Sequence, residues 1–348
     1  MTTGEITPDE AGFAEQARHG RVVSVTRRLL ADAETPIGLF GKLAGGPGTF
    51  LLESAEPGRS WSRYSFIGVR TFATLTEADG AAKWTGVPPA GVPLAGDPMS
   101  VLRDTVAALA SPHNPGAPPL TAGMVGYLSY DVVRYLERLP DTGDRDLPLP
   151  ELGMMLVADL AVLDHNDGSL LLIANAVLPE PGANGPDEHV LTEAYDRTVG
   201  RLETMTTALS RPIGPSVATL RRPDSVAYTS TMPDGAYAKA VEECKEAIRA
   251  GECFQIVPSQ RFSRKTDADP LDIYRVLRAS NPSPYMYLLR FDGFDIVGSS
   301  PETQVKLTDR RALLRPIAGT RPRGATPHAY AELATELIRD PKERAEHV

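Results

Sequence analysis

From residue 20 to residue 180 the chain alternates short apolar runs with clusters of turn-forming residues. The β-branched and aromatic content of those runs predicts strands at Gly38–Leu43, Thr49–Glu53, Ser65–Thr76, Gly123–Tyr130, Leu152–Asp164 and Leu170–Val177. Within this stretch one segment has a helical beat. Val101, Leu102, Val106 and Leu109 repeat on one face from Pro98 to Leu109, with Asp97 placed to cap the first turn. After the breaker-rich Pro179–Pro186, a second helical pattern runs from Asp187 to Leu209 through Leu191, Ala194, Tyr195, Val199 and Leu202.

Ser210–Thr231 contains Pro212, Pro215 and Pro223 and reads as a linker. The expected organisation is an N-terminal domain over residues 1–210, a linker at 211–231 and a second domain over 232–348. That second domain is expected to open with a helix capped by Asp234, burying Tyr237, Val241, Cys244 and Ile248, and closed by Gly251. A strand at Cys253–Arg261 follows, then a helix with Asp269 as cap and Pro270 in its first turn. Tyr285–Phe291 and Phe294–Ser299 flank Asp292-Gly293, a dipeptide favoured in two-residue hairpins, and Thr303–Leu307 and Ala312–Ile317 extend the meander. Strands that neighbour one another along the chain favour antiparallel pairing. The expected class is therefore α+β, with antiparallel β-sheets packed together and helices on the outside.

At 348 residues the chain is long for a single core. A formal charge of −9 disfavours a protein that coats nucleic acid or an anionic membrane. The apolar runs Met154–Leu163 and Leu170–Leu178 are about half of what a bilayer requires, and Met1–Gly20 has no basic, apolar leader. A cytoplasmic protein with no nucleic-acid or membrane partner is the expectation. Cys244 and Cys253 are too few for a disulfide framework or a thiolate metal site, and the six histidines are scattered.

The candidate chemistry lies in the last hundred residues. Arg310, Arg311, Arg315, Arg321 and Arg323 surround Gly319-Thr320-Arg321-Pro322-Arg323-Gly324. Glycines let backbone amides approach an anion, threonine adds a hydroxyl donor and arginine grips carboxylates in pairs of hydrogen bonds. A solvated basic hairpin would show the same residues. Asp340-Pro341-Lys342-Glu343 starts a helix that places Glu343 and Glu346 on one side, as a Mg²⁺ site drawing one or two acids from the protein needs, although Glu343 also fits a capping box. Only seven residues follow Pro341, so the domain is expected to continue beyond Val348. Glu302 ends a strand after Gly298-Ser299-Ser300-Pro301, where a carboxylic acid can be aimed into a cleft. An exposed turn would suit it equally. Gln255 shares a strand side with Val257 and Ser259, a position that can face a polar cavity.

Taken in order, Leu51-Leu52-Glu53-Ser54, Gly126–Asp131, Phe254–Ser259, Asn281–Met286, Gly298–Glu302, Pro316–Gly324 and Asp340–His347 resemble the large subunit, component I, of the anthranilate synthase family of chorismate-utilising enzymes. The resemblance implies a chorismate-binding fold and conversion of chorismate plus ammonia to anthranilate and pyruvate, with Mg²⁺ as cofactor. It implies that Glu346 ligates the metal with Glu343 in support, that Gly319 and Thr320 meet the ring carboxylate, that Glu302 is the acid for the C4 hydroxyl, and that Gln255 lies near C2. It further implies a glutamine amidotransferase subunit as ammonia source and feedback inhibition by tryptophan bound at Glu53, Ser54, Pro284, Tyr285 and Met286.

One relative of that family, aminodeoxychorismate synthase component I, remains an alternative, and so does a tryptophan-binding module without chemistry. Aminodeoxychorismate synthases typically read Pro-Ile-Lys-Gly-Thr, with the lysine as nucleophile, where this chain has Ala318. Salicylate and isochorismate synthases generally carry a lysine where Gln255 stands. By the resemblance, the second metal-binding glutamate, a histidine, an arginine and a glycine-rich segment fall beyond Val348, so the 348 residues alone are expected to be inactive.

Overall fold

A computed structural model describes residues 4–55, 63–112, 114, 116–140, 143, 146–180, 187–214, 217, 227–308, 310–314 and 319–347, with the backbone alone described for Glu346 and His347. In chain order the elements begin β1 (Ile6–Thr7), α1 (Glu10–Ala17), β2 (Val22–Leu30), α2 (Pro36–Leu43), β3 (Thr49–Glu53), β4 (Tyr64–Ala78) and β5 (Ala81–Gly86). They continue α3 (Pro98–Ala108), β6 (Met124–Leu128), a 3₁₀ turn at Tyr130–Tyr135, β7 (Leu152–Asp164), β8 (Ser169–Val177) and α4 (Glu188–Leu209). Next come β9 (Thr229–Ser230), α5 (Ala236–Arg249), β10 (Phe262–Ser263), α6 (Pro270–Ser280), β11 (Tyr285–Arg290) and β12 (Asp295–Ser300). The last are β13 (Lys306–Thr308), β14 (Arg311–Leu313), α7 (Pro327–Arg339) and α8 (Pro341–His347).

Two compact units result, Met1–Pro215 with Ile273–Val348, and Ser216–Asp272. In the first, ten strands form one sheet in the order β1-β2-β8-β7-β4-β3-β11-β12, with β5 beside β4 and β6 beside β7. Every pairing is antiparallel. The length of β4 and β7 explains the branching: β7 pairs with β6 through Leu152–Leu156 and with β8 through Asp159–Asp164 on the same side. Almost all of β7 and β8 is buried, which is why both read as unbroken apolar runs and not as alternating ones. Helix α4 lays Leu191, Ala194, Thr198, Leu202, Met205 and Ala208 against β8 and β2, a three-to-four-residue stripe.

Several sequence expectations meet the structure with a difference. Gly38–Leu43, expected as a strand, lies in α2, because the Thr35 hydroxyl accepts from the Gly38 N–H at 3.0 Å and Pro36 occupies the first turn. On α3 Asp97 caps as expected, yet Val106 is 52% exposed and Thr105 takes the buried place. The Asp292-Gly293 hairpin forms in the expected register, with Gly293 at φ 87° and Arg290 opposite Asp295. β11 then pairs with β3, so residues 285–300 extend the sheet begun by residues 6–177.

The second unit has little core of its own. β9 and β10 make a two-residue ladder supported by an edge-on contact between Tyr228 and Phe262. Helix α5 begins after Gly235 at φ 79° instead of being capped by Asp234, and none of its residues is fully buried. Cys253–Arg261, expected as a strand, is irregular, and only at its end does a bond from the Thr231 N–H to the Arg261 carbonyl at 3.0 Å lead into the β9–β10 ladder. Among the described residues no helix is long and apolar enough to cross a membrane.

Candidate functional site

Strand β3 ends where β11 begins. Met286 stands opposite Glu53 in the ladder, and the Ala55 N–H donates to the Ser283 carbonyl at 3.0 Å. This register brings residues 53–54 and 284–286 together across some 230 positions of sequence. Glu53, Ser54, Pro284, Tyr285 and Met286 all line one cavity of about 830 Å³. Its other walls come from Leu52, Tyr64, Phe66, Leu120, Val125, Tyr127, Tyr287, Leu289 and Ile296, with Pro119, Met124 and Gly126. Glu53 is the one charged side chain among these described residues.

The buried Glu53 carboxylate, which strand alternation sends to the opposite face of the sheet from Leu52 and Tyr287, needs partners. The Tyr274 hydroxyl donates to Glu53 Oε2 at 2.5 Å, and Arg278 Nε donates to the same oxygen at 3.2 Å. Burial, and then the Glu53 charge, hold the Tyr274 phenol far above the ordinary tyrosine range, so it acts as a donor at any working pH. Tyr127, which also lines the cavity, donates to the Pro150 carbonyl at 2.6 Å, and its pKa is pushed up to about 12 by burial and by Glu151 and Glu77. The Tyr285 hydroxyl is hydrogen-bonded to that of Thr303. Neither Tyr274 nor Arg278 was singled out from sequence. Their four-residue spacing on a predicted helix was visible, but nothing local pointed to a partner at position 53.

A second constellation gathers at the C-terminal helices. Thr326 caps α7 by accepting from Ala329, with Pro327 in the first turn, a start signal carried by the local sequence. Asp340 starts α8, its Oδ1 accepting from Lys342 at 2.9 Å and Glu343 at 3.2 Å. The Glu343 amide bond first, and the Lys342 bond and Arg321 charge after it, hold the Asp340 carboxyl below the usual range. Arg321 links three carboxylates, with Nε to Glu336 at 3.1 Å, Nη2 to Asp340 at 3.0 Å and Nη1 to Glu343 at 3.3 Å. The arginine expected to grip a ligand is thus engaged by the protein's own acids.

Gly319 lies directly against Glu343. A Cβ added there would fall 1.9 Å from Oε2, so the glycine is required for the carboxylate to sit where it does. Gly319 and Glu343 are therefore brought together, with Thr320 next along the chain and exposed. Glu302 is exposed in the turn after β12, where its backbone N–H donates to Ser300 Oγ at 3.4 Å. Gln255 is exposed in the second unit, in the irregular segment and not on a strand. The Glu346 side chain, Arg315 and Ala318 fall outside the described residues.

Carboxylate oxygens are the hard donors Mg²⁺ prefers, and Glu343 sits beside a glycine and already holds a cationic group, so the residues present suit that ion by type. Among the described residues no three His, Cys, Asp or Glu side chains gather closely enough to hold a metal.

The profile of the chorismate binding enzyme family matches residues 48–348. Anthranilate synthase component 1 of Mycolicibacterium smegmatis is 51% identical over 351 residues, covering 98% of this chain and 66% of that protein. The Pseudomonas aeruginosa protein of the same name is 38% identical, covering 94% of this chain and 65% of its own length. The chain thus spans about two thirds of the length of the curated relatives it matches. In fold it resembles the crystal structure of anthranilate synthase component I from Streptococcus pneumoniae, with a TM-score of 0.66 at 24% identity over 91% of this chain and 65% of that one. With a family match over most of its residues, half identity to a curated relative and a large antiparallel sheet, the chain belongs to the chorismate binding enzymes and is a close relative of anthranilate synthase component 1.

Proposed function

We propose that the protein carrying this chain is an anthranilate synthase component I, a cytoplasmic lyase that converts chorismate and ammonia to anthranilate and pyruvate in tryptophan biosynthesis. The observation that carries this reading is the similarity, at about half identity and over 98% of the chain, to a protein of that name. Ammonia would come from a glutamine amidotransferase subunit.

In this reading Gly319 and Thr320 receive the ring carboxylate, the glycine by close approach of its amide and the threonine through its hydroxyl. Gln255 borders C2, where ammonia adds. Glu302 gives its proton to the C4 hydroxyl, which departs as water, and a proton lost from C2 as pyruvate is eliminated restores the aromatic ring. Glu346, supported by Glu343, would hold Mg²⁺, which offsets the charge of the bound carboxylate when present. The cavity at Glu53 would take tryptophan as a feedback inhibitor, with Pro284, Tyr285 and Met286 against the indole.

Glu302→Gln in the intact protein tests the assignment by anthranilate fluorescence. Removing a general acid is expected to lower kcat by about 100-fold or more while leaving the chorismate KM within a few-fold. A variant that turns over at the unaltered rate would remove Glu302 from the mechanism.

A further inference from the structure

We infer that Arg321 is a positioning residue whose guanidinium ties the Gly319-Thr320 turn to the Glu343 carboxylate, and so sets the distance between the turn that receives the ring carboxylate and the acid that supports Mg²⁺. The inference rests on the reading of that turn and of Glu343 as parts of the chorismate site, and adds the group that holds them together.

One nitrogen makes the tie. Arg321 Nη1 donates both to the Thr320 carbonyl, at 3.1 Å, and to Glu343 Oε1, at 3.3 Å. Oε1 is thereby held, and Oε2 is the oxygen nearer Gly319. The other two nitrogens fix the guanidinium itself, Nε by donating to Glu336 on α7 at 3.1 Å and Nη2 by donating to Asp340 at the start of α8 at 3.0 Å. With donors on all three nitrogens engaged, Arg321 acts on a ligand through the turn and Glu343, and not by touching it. Arginine suits this task because its donors diverge from one rigid plane. A lysine ammonium, a point charge on a flexible stem, would neutralise the same acids without holding the turn at a set distance from any of them. Exposure ranks the links. The Glu336 side chain is 61% exposed, so that pair adds little to stability, whereas Glu343 is 16% exposed and its bond is less weakened by solvent.

The test is calorimetric titration of Mg²⁺ into the intact protein carrying Arg321→Lys, which keeps the charge and loses the fork. Loss of one charge-assisted hydrogen bond to Glu343 predicts Mg²⁺ binding weakened about tenfold. The melting temperature should stay near that of the unaltered protein, since the links lost lie at or near the surface. In a Glu343→Gln background the same substitution should have no further effect on Mg²⁺. Glu336→Gln, which removes the exposed anchor and leaves the tie, should keep the affinity within about twofold. Mg²⁺ binding by Arg321→Lys at the unaltered affinity would reduce the guanidinium to charge compensation and overturn the positioning role. So would a full effect of Arg321→Lys without Glu343, an equal loss in Glu336→Gln, or failure of Arg321→Lys to fold. Glu343→Gln binding Mg²⁺ as tightly as the unaltered protein would instead overturn the reading of Glu343 itself.

Discussion

At the scale of single residues, the two constellations differ in how they could be found. Glu53 and Met286 meet because of a strand register that no local pattern encodes, and resemblance to a family was the route to them. The Asp340 cap and Gly319 were legible as local chemistry, yet the contact between Gly319 and the Glu343 carboxylate was not, since it depends on how α8 is set against the loop. Gly319→Ala tests that contact. The added methyl must displace Glu343, and displacement of a binding group by about 1 Å is worth on the order of 100-fold in rate. We therefore expect kcat/KM for chorismate to fall by about that factor with a melting temperature near that of the unaltered protein. Wild-type kcat/KM in the variant would show that Glu343 need not lie there.

At the scale of elements, periodicity located most of the sheet. Leu152–Asp164 was predicted with the bounds observed for β7, because a long β-branched and apolar run between turns has few other solutions. Two failures have physical causes. Gly38–Leu43 is too short for its period to decide between helix and strand, and the cap pair Thr35-Pro36 settled it. Cys253–Arg261 has strand-like alternation, but alternation supplies no hydrogen-bonding partner, and Phe254 stands 97% exposed. The weight of β7 in the structure can be measured. Leu160 is fully buried between β4 and β8, so Leu160→Ala should destabilise the protein by about 2–5 kcal/mol in urea unfolding. A loss below about 1 kcal/mol would mean that this part of the sheet is not the core.

At the scale of the whole molecule, class and chemistry were separable. Antiparallel α+β architecture followed from the order of strands and turns, and ten strands joined in one antiparallel sheet agree with it. The net charge of −9 spoke against polyanionic partners without indicating a substrate. The proposed activity rests on the seven motifs taken together, since each alone has an ordinary structural explanation: Glu343 as a capping residue, Glu302 as a turn acid, the arginines as a solvated hairpin. The central claim is tested most directly by identifying what the intact protein makes from chorismate, ammonium and Mg²⁺, separated by chromatography and confirmed by mass. Anthranilate and pyruvate in equal amounts, suppressed by L-tryptophan, is the predicted result; aminodeoxychorismate, isochorismate or salicylate as the product would contradict it.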